Sequence, residues 1–570
     1  MVSRVVGIVD PISTGACLAR YLADKGYALV RIWSDQCPAD VRNLVKSGLE
    51  VDWIDTVEHK GDAAETEAAL RRLGMTDVLV GSEPGVNLHA DLTASFGKST
   101  AVDADKLAAR RNKYLQSECV RNAGLSAARQ TLANSMADVE HFIADMEETC
   151  AAASIPFKAV VKPVEGAGSD GVSICNSAEE ARAAFERLQG TKNILGLENY
   201  SALCQEFLAG DEYVVDSVSL AGEHKIVAIW KYDKRDYHGK PVVYHGMELL
   251  NVESNPELHA PLVAYITGVL EALHIRDGAM HSEVMATRRG PVLVEVNCRL
   301  HGGEGIWLPI SEACLGYSQV TALHDAAFHA IGFNALPTTP LHPMMAHGAW
   351  VTLRSPQSGV IAAINEASIS TIRALASFES EYLAPLVAVG ETIVQTIDAT
   401  TVHGCFNLVH ADKATLDADY ALAQKLINES IFTFEGAATA SSAPPAPTPA
   451  AGAAHDDGKV SVSIKLTKPT SAIFEQYTPA APAIGSRTAS GNWMPLSREM
   501  RLSNEAPLSR GSSGHFEEDK VNRDEVASKA ELEVFGFGFN FKKSPVLGPA
   551  SRTPSRSPSI GTHGEAFALE

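Results

Sequence analysis

The segment HSEVMATRRGPVLVEVNCRLHGG at 281–303 reads as two apolar strands joined by a short turn, Arg288-Arg289-Gly290. A three-residue turn with glycine last is a favoured hairpin geometry. It sets Glu283 directly opposite Glu295, and strand alternation puts Asn297 on the same face two residues on. Two carboxylates facing each other with Cβ atoms about 5 Å apart repel. The arrangement makes sense around a divalent cation, and oxygen-only ligands of this kind suit Mg²⁺ or Mn²⁺ held partly by substrate phosphates. The alternative, two unrelated surface glutamates, leaves Glu295 unexplained inside the apolar run PVLVEV. Arg299 continues the alternation, and HGGEG at 301–305 turns beside it. A guanidinium fork there suits a carboxylate or acyl phosphate; a structural salt bridge is the competing reading. Cys298 alternates away from this face and is expected in the core.

A second stretch upstream, VVKPVEGAGSDGV at 160–172, ends an apolar strand at Lys162. Pro163 stops that strand. Gly166, Gly168 and Gly171 then allow close backbone approach to phosphates. The GK[ST] ending of a P-loop is missing, and a strand follows, so the loop reads as a hairpin flap or as an ordinary turn. Lys113, on a helix predicted over 105–122, could reach the same phosphates or be solvated surface. In LCQEFLAGDEYVVDSV at 203–218 two strands flank a linker of Gln205, Glu206, Phe207 and Leu208. Such a linker between two sheets can stack an adenine and bond it through backbone groups. Glu212 beyond it is the natural acceptor for ribose hydroxyls.

Outward from these stretches, RVVGIVD at 4–10, ALVRIW at 28–33 and VLVG at 78–81 alternate with helical spacing. That pattern indicates a parallel sheet with crossover helices. STG at 13–15 opens the first helix, where free N–H groups could hold an anion. No GxGxxG accompanies it, and a purely structural turn is the alternative. KAVVKP and VSIC flank the glycine loop, and Ser177 with Glu180 marks a helix start. Past 341, HGAWVTL and FNLVHA alternate with the helical DYALAQKLI. From Ala437 the chain turns to ATASSAPPAPTPAAGAA and stays rich in Ser, Pro and Gly. Such a composition cannot offset ordering costs of about 1–2 kcal/mol per residue. Residues 436–570 are therefore expected to be a disordered tail, with FGFGFNF at 535–541 and RTPSRSPS at 552–559 as candidate docking or phosphorylation segments.

The 570 residues carry a net charge of −21 and are 45% hydrophobic. The acidity argues against a general nucleic-acid or anionic-membrane surface. No apolar run reaches the ~18–20 residues of a membrane span, and the N-terminus reads as a buried strand, not a signal peptide. Nine cysteines without CxxC spacing point to a reducing cytoplasm.

Taken in order, Lys113, Lys162, the glycine loop, the 205–208 linker, Glu212 and the Glu283/Glu295/Asn297/Arg299 set resemble the ATP-grasp superfamily over residues 1–435. Within it the chain is similar to carboxylate–amine ligases of the L-amino-acid ligase type. That likeness rests on GSEPGVNLHADLTASFG at 81–97, RRNKYLQ, and GAMHSEVMATRRGPVLVEVNCRLHGG. SPQSGVI and the HGCFNLVHAD region extend it into the last unit.

The resemblance implies a mixed α/β and α+β chain. A Rossmann-like parallel-sheet domain would span 1–103, a two-lobed ATP-grasp core 104–335 and an α+β cap 336–435. It implies ATP with Mg²⁺ or Mn²⁺, an acyl-phosphate intermediate, and small-molecule carboxylate and amine substrates. Lys162, Glu295 and Arg299 would act on the reacting groups. Glu83, Glu248, His281 and Gly302 are substrate candidates, and Lys231 and Lys234 are either substrate contacts or solvated lysines. A homodimer is expected, with the tail as a docking segment for a regulatory protein. An ATP-grasp ligase or carboxylase with another acceptor, and a nucleotide-binding scaffold without catalysis, stay open as alternatives.

Overall fold

The computed structural model describes residues 4–44, 51–96, 104–166, 168–193, 195–383, 387–429 and 431–436. The 436–570 expectation and both of its short motifs fall beyond Gly436, outside the described residues. Four short strands open the chain: β1 (Val5–Val9), β2 (Ala28–Trp33), β3 (Trp53–Glu58) and β4 (Asp77–Val80). They form an all-parallel sheet in the order β3-β2-β1-β4. Apolar runs such as VVGIV suit strands covered on both faces, and Val9, Val30, Ile32 and Val78 pack against Leu70, Leu88 and Leu92 of the flanking helices. The helix Thr14–Asp24 begins so close to the end of β4 that a Cβ on Gly15 would stand 2.4 Å from the Gly81 carbonyl oxygen.

The helix expected over 105–122 is two helices, Ala104–Ala108 and Lys113–Asn122. Asn112 makes the break: its side chain accepts from the Leu115 N–H at 3.0 Å and caps the second helix. This puts Arg111 in the turn and Lys113 at a helix start.

Strands β5 (Gln130–Ala133), β6 (Ala159–Pro163), β7 (Ser173–Cys175) and β8 (Ala202–Glu206) make an antiparallel sheet in the order β5-β8-β6-β7. Helices Met136–Ala153 and Ala178–Leu188 bury Phe142, Ile143, Met146 and Phe185 against it. The chain then crosses through residues 207–209 into a second sheet. Its strands are β9 (Gly210–Leu220), β10 (Glu223–Tyr237), β11 (Lys240–Leu249), β12 (Gly278–Thr287) and β13 (Gly290–Asn297). Later strands β14 (His347–Thr352), β15 (Gly359–Ile364), β16 (Phe378–Leu383), β17 (Thr392–Ile393), β18 (Cys405–His410) and β19 (Phe432–Phe434) follow. The large sheet has eight strands, β13-β12-β9-β10-β11-β14-β18-β16. Pairing of β11 with β14 carries it without a break across the expected boundary at 335/336. The sequence reading passed over β11, although KPVVYHGMEL alternates well.

The hairpin at 281–297 corrects one expectation. Its turn has two residues, Arg288 and Arg289, because Thr287 pairs with Gly290. From that turn alone Glu283 would face Val294. A β-bulge between Glu283/Val284 and their partners restores the pairing of Glu283 with Glu295 and of His281 with Asn297. The expected register is reached by a different route.

Candidate active site

β13 is an edge strand, so its outer peptide groups need partners. Gln116, buried on the helix Lys113–Asn122, supplies both for Val296: its amide donates to the carbonyl at 2.7 Å and accepts from the N–H at 2.9 Å. That clamp holds the helix start over the acidic strand, and Lys113 Nζ lies 2.8 Å from Glu295. The same ammonium donates to the Gly166 carbonyl at 3.0 Å, tying the glycine flap to the acid hairpin. Burial would lower the Lys113 ammonium; the Glu295 charge and hydrogen bond outweigh it and hold it above its ordinary value. Lys162, at the end of β6, is buried and pushed down to about 8 by desolvation, with Glu295 opposing and Lys113 adding to the shift. The two lysines thus converge on one carboxylate, each from a different element.

Asn297 donates to Glu295 at 3.1 Å and accepts from Arg299 Nη2 at 3.1 Å. Arg299 Nε lies 3.2 Å from Glu83, which enters from the turn after β4. The structure therefore brings Glu83 of the N-terminal unit against the arginine of the acid hairpin. On the other strand of that hairpin, Glu283 receives His281 Nε2 at 3.4 Å and the Tyr232 hydroxyl at 3.4 Å. Burial would raise the Glu283 carboxyl, but the His281 hydrogen bond and Lys234 hold it well below the usual range. Glu212 sits in the same cluster, 2.7 Å from Lys234. Burial raises it, Lys234 opposes, and the neighbouring Glu283 raises it further.

Lys234 is one residue the sequence reading weighed as solvated; its side chain is 13% exposed and locked between Glu212 and the rings of Tyr232 and Tyr244. Glu248 and Lys231 are not brought to this cluster. They face each other across β10 and β11, one residue out of phase with Tyr232. They therefore project from the opposite sheet face, where Glu248 meets Lys413 at 3.1 Å and Lys231 meets Asp211 at 2.8 Å. Gly302 lies beside Arg299, and its carbonyl accepts from Thr14 Oγ1 at 3.1 Å and Trp307 Nε1 at 2.9 Å. The STG turn meets the same loop: Ser13 accepts from the Glu304 N–H at 3.1 Å. The first helix start is thereby docked onto the 302–305 turn.

The flap Val164–Val172 joins β6 and β7. Its glycines at 166, 168 and 171 all have positive φ, the left-handed region only glycine enters freely. Thr400 of the last unit lies against it, 3.5 Å from where a Gly168 Cβ would be. Gln205 and Glu206 end β8, leaving 207–209 as the crossing. Lys158 Nζ stands 3.8 Å over the Phe207 ring, and Arg289 pairs with Glu206.

Beneath the acid hairpin lies a group the sequence reading missed. Asp216, fully buried on β9, accepts from His281 Nδ1 at 3.1 Å, His301 Nδ1 at 2.9 Å and Trp230 Nε1 at 2.9 Å. Burial would raise Asp216, yet His301 and His281 hold it far below the usual range. His281 is raised by Asp216 and Glu283 against its own desolvation, so it bridges the two carboxylates. His301 is pushed down to about 4 by burial, Asp216 opposing. Only strand pairing puts Asp216 opposite His281, so no local motif could have announced it.

Residues 155–307 match the ATP-grasp domain. The chain carries an ATP-grasp domain. Dapdiamide A synthase from Enterobacter agglomerans is 29% identical over 416 residues, 72% of this chain and 93% of that protein. The fold is similar to that of L-amino acid ligase from Bacillus licheniformis, with TM-score 0.55, 15% identity, and coverage of 76% of this chain and 99% of that one. N5-carboxyaminoimidazole ribonucleotide synthetase, solved as an ADP complex, aligns at TM-score 0.51 and 15% identity over 75% of this chain and 97% of that one. An ATP-grasp site takes ATP, and small molecules are its substrates. Among the described residues no helix is long and apolar enough to cross a membrane.

Proposed function

We propose that this ATP-grasp ligase joins a carboxylate to an amine through an acyl phosphate, releasing ADP and phosphate. The observation that carries this reading is the pairing of Glu283 with Glu295, next to the chain of contacts from Glu295 through Asn297 to Arg299 and beneath two convergent lysines. In the first step the substrate carboxylate oxygen attacks the γ-phosphorus of ATP and the bond to the ADP oxygen breaks. In the second an amine attacks the acyl carbon, loses a proton, and inorganic phosphate leaves as the amide forms.

Lys113 and Lys162 neutralise phosphate charge, and the flap closes over it with backbone N–H groups. Arg299 holds the carboxylate and then the oxyanion of the tetrahedral intermediate. Opposed carboxylates fit a hard divalent cation. Glu283, Glu295 and Asn297 would hold Mg²⁺ or Mn²⁺, which would offset the negative charge of the phosphates. The crossing at 207–209 is where we expect the adenine. Glu212, locked to Lys234, serves the metal cluster more readily than a ribose.

Nine cysteines without CxxC spacing support a reducing, cytoplasmic setting. The units read from sequence (1–103, 104–335 and 336–435) stand as our division of the chain.

The test is release of ADP and phosphate from Mg²⁺-ATP against a matrix of amino acids and amines, with product masses. ADP together with a mass equal to acid plus amine minus water establishes the ligase. ADP without that mass points to another acceptor, and no turnover with tight ATP binding overturns the reading in favour of a scaffold.

A further inference from the structure

Val214, Asp216 and Val218 share one face of β9, opposite Glu283, His281 and Ala279 of β12. The two valines lie in an apolar core with Trp230 and Trp307, and Asp216 between them is completely buried. An apolar side chain would fill that core at least as well, since a buried ion network seldom adds stability over a well-packed hydrophobic one. Packing therefore does not explain the carboxylate; its bonds do.

Oδ2 of Asp216 takes two donors, Trp230 Nε1 and His301 Nδ1, both at 2.9 Å. His301 is itself wedged in place. Its ring stacks on Trp307 with centroids 5.2 Å apart, and its backbone N–H donates to Gln319 at 2.8 Å. Two rigid donors on one oxygen fix the plane of the carboxylate and turn Oδ1 toward β12. There Oδ1 accepts from His281 Nδ1 at 3.1 Å. An ionised carboxylate only accepts, so this bond fixes a proton on Nδ1 and with it the tilt of the ring. The other ring nitrogen, Nε2, is thereby turned to Glu283 Oε1 at 3.4 Å.

Of the two opposed glutamates, Glu295 is held directly, by Lys113 at 2.8 Å and Asn297 at 3.1 Å. Glu283 has looser contacts, to His281 and the Tyr232 hydroxyl at 3.4 Å each. A carboxylate held so loosely takes its direction from whatever fixes its neighbours. We infer that Asp216 is a positioning residue for the metal site: through His281 it aims the Glu283 carboxylate across the hairpin toward Glu295, where the cation would be held. Asp216 itself touches neither cation nor substrate. This role rests on the assignment of Glu283 to the metal.

The experiment uses the full chain, Mn²⁺ as the metal and a non-hydrolysable ATP analogue, and compares binding of the analogue with Mn²⁺ and in EDTA. Asp216→Asn keeps the shape of the side chain but replaces one accepting oxygen by a donor. It should weaken binding of the Mn²⁺ complex about 10- to 100-fold, leave binding in EDTA within about twofold, and alter the EPR spectrum of the bound Mn²⁺. His281→Asn separates positioning from folding, because its amide keeps a donor near the place of Nδ1 and removes Nε2. It should unfold at the wild-type midpoint and weaken the Mn²⁺ complex as far as Asp216→Asn does. The double variant should be no weaker than either single one, as expected of residues acting in series. Should Asp216→Asn fail to fold, His281→Asn alone decides. Unaltered Mn²⁺ affinity in either folded variant overturns the inference. So does an equal loss with Mn²⁺ and in EDTA, which would leave Asp216 a purely structural support. A wild-type protein whose analogue binding gains nothing from Mn²⁺ would instead remove the metal assignment itself, and this role with it.

Discussion

In the free protein, burial holds the Lys162 ammonium at about 8 against an ordinary value of 10.5. A lysine that neutralises phosphate must be charged, so ATP binding favours its protonated form and raises it again in the complex. As pH rises through 8 the free protein sheds this proton before the complex does, and affinity falls. Below about pH 7 both states are protonated and affinity is flat. Above 8 it should weaken about tenfold per pH unit, since one unit corresponds to 1.36 kcal/mol. Return to the ordinary 10.5 in the complex makes the whole effect about 3.4 kcal/mol, or about 300-fold. Calorimetry with a non-hydrolysable ATP analogue from about pH 7 to 9.5, in two buffers of different ionisation enthalpy, reads both the slope and the proton taken up. Lys162→Arg, whose guanidinium stays charged, should flatten the profile. A flat wild-type profile without proton uptake, or the same slope in Lys162→Arg, would refute the assignment of Lys162 to phosphate.

Three further outcomes are open to measurement. Glu295→Gln keeps the size of the side chain but removes half of the opposed pair and the partner of Lys113; it should fold and lose metal-dependent turnover by at least about 10²–10³, and wild-type rates in that variant would sink the metal assignment. Gly15→Ala drives a methyl onto the Gly81 backbone, which cannot rotate aside. It should cost about 1–3 kcal/mol in denaturant unfolding, and an unshifted midpoint would mean that helix and sheet are not in contact there. Truncation after Gly436 should leave ATP-dependent product formation intact, because every assigned site residue precedes it; a folded but inactive truncation would put part of the site in the tail.

The hairpin reading shows how far local pattern reaches. Alternation along 281–299 placed Glu283, Glu295, Asn297 and Arg299 on one ladder, yet the turn was misjudged by one residue and a bulge restored the register. Sequence periodicity constrains which face a side chain takes but is blind to a bulge, whose cause lies in the neighbouring strand. Glu248 and Lys231 show the opposite failure. Both are chemically suitable, and one residue of phase on β10 and β11 turns them to the wrong face. Lys234 was weighed as solvated because a charge in a polar run normally is, whereas the long β10 carries it back over the acid cluster.

What the sequence determined by itself is therefore chemical and local: a lysine at a strand end, a glycine flap, an acidic hairpin followed by an arginine, and the order in which they come. Each depends on spacing within a few residues, where backbone geometry leaves little choice. Tertiary structure decided what they meet. It set Glu83 on Arg299 across more than two hundred residues of chain, hung His281 and His301 on Asp216, and brought Arg111 beside Glu83 and Glu165. Such contacts arise from sheet register and helix docking, which sum many weak apolar interactions along the whole chain and leave no trace at the residues they bring together.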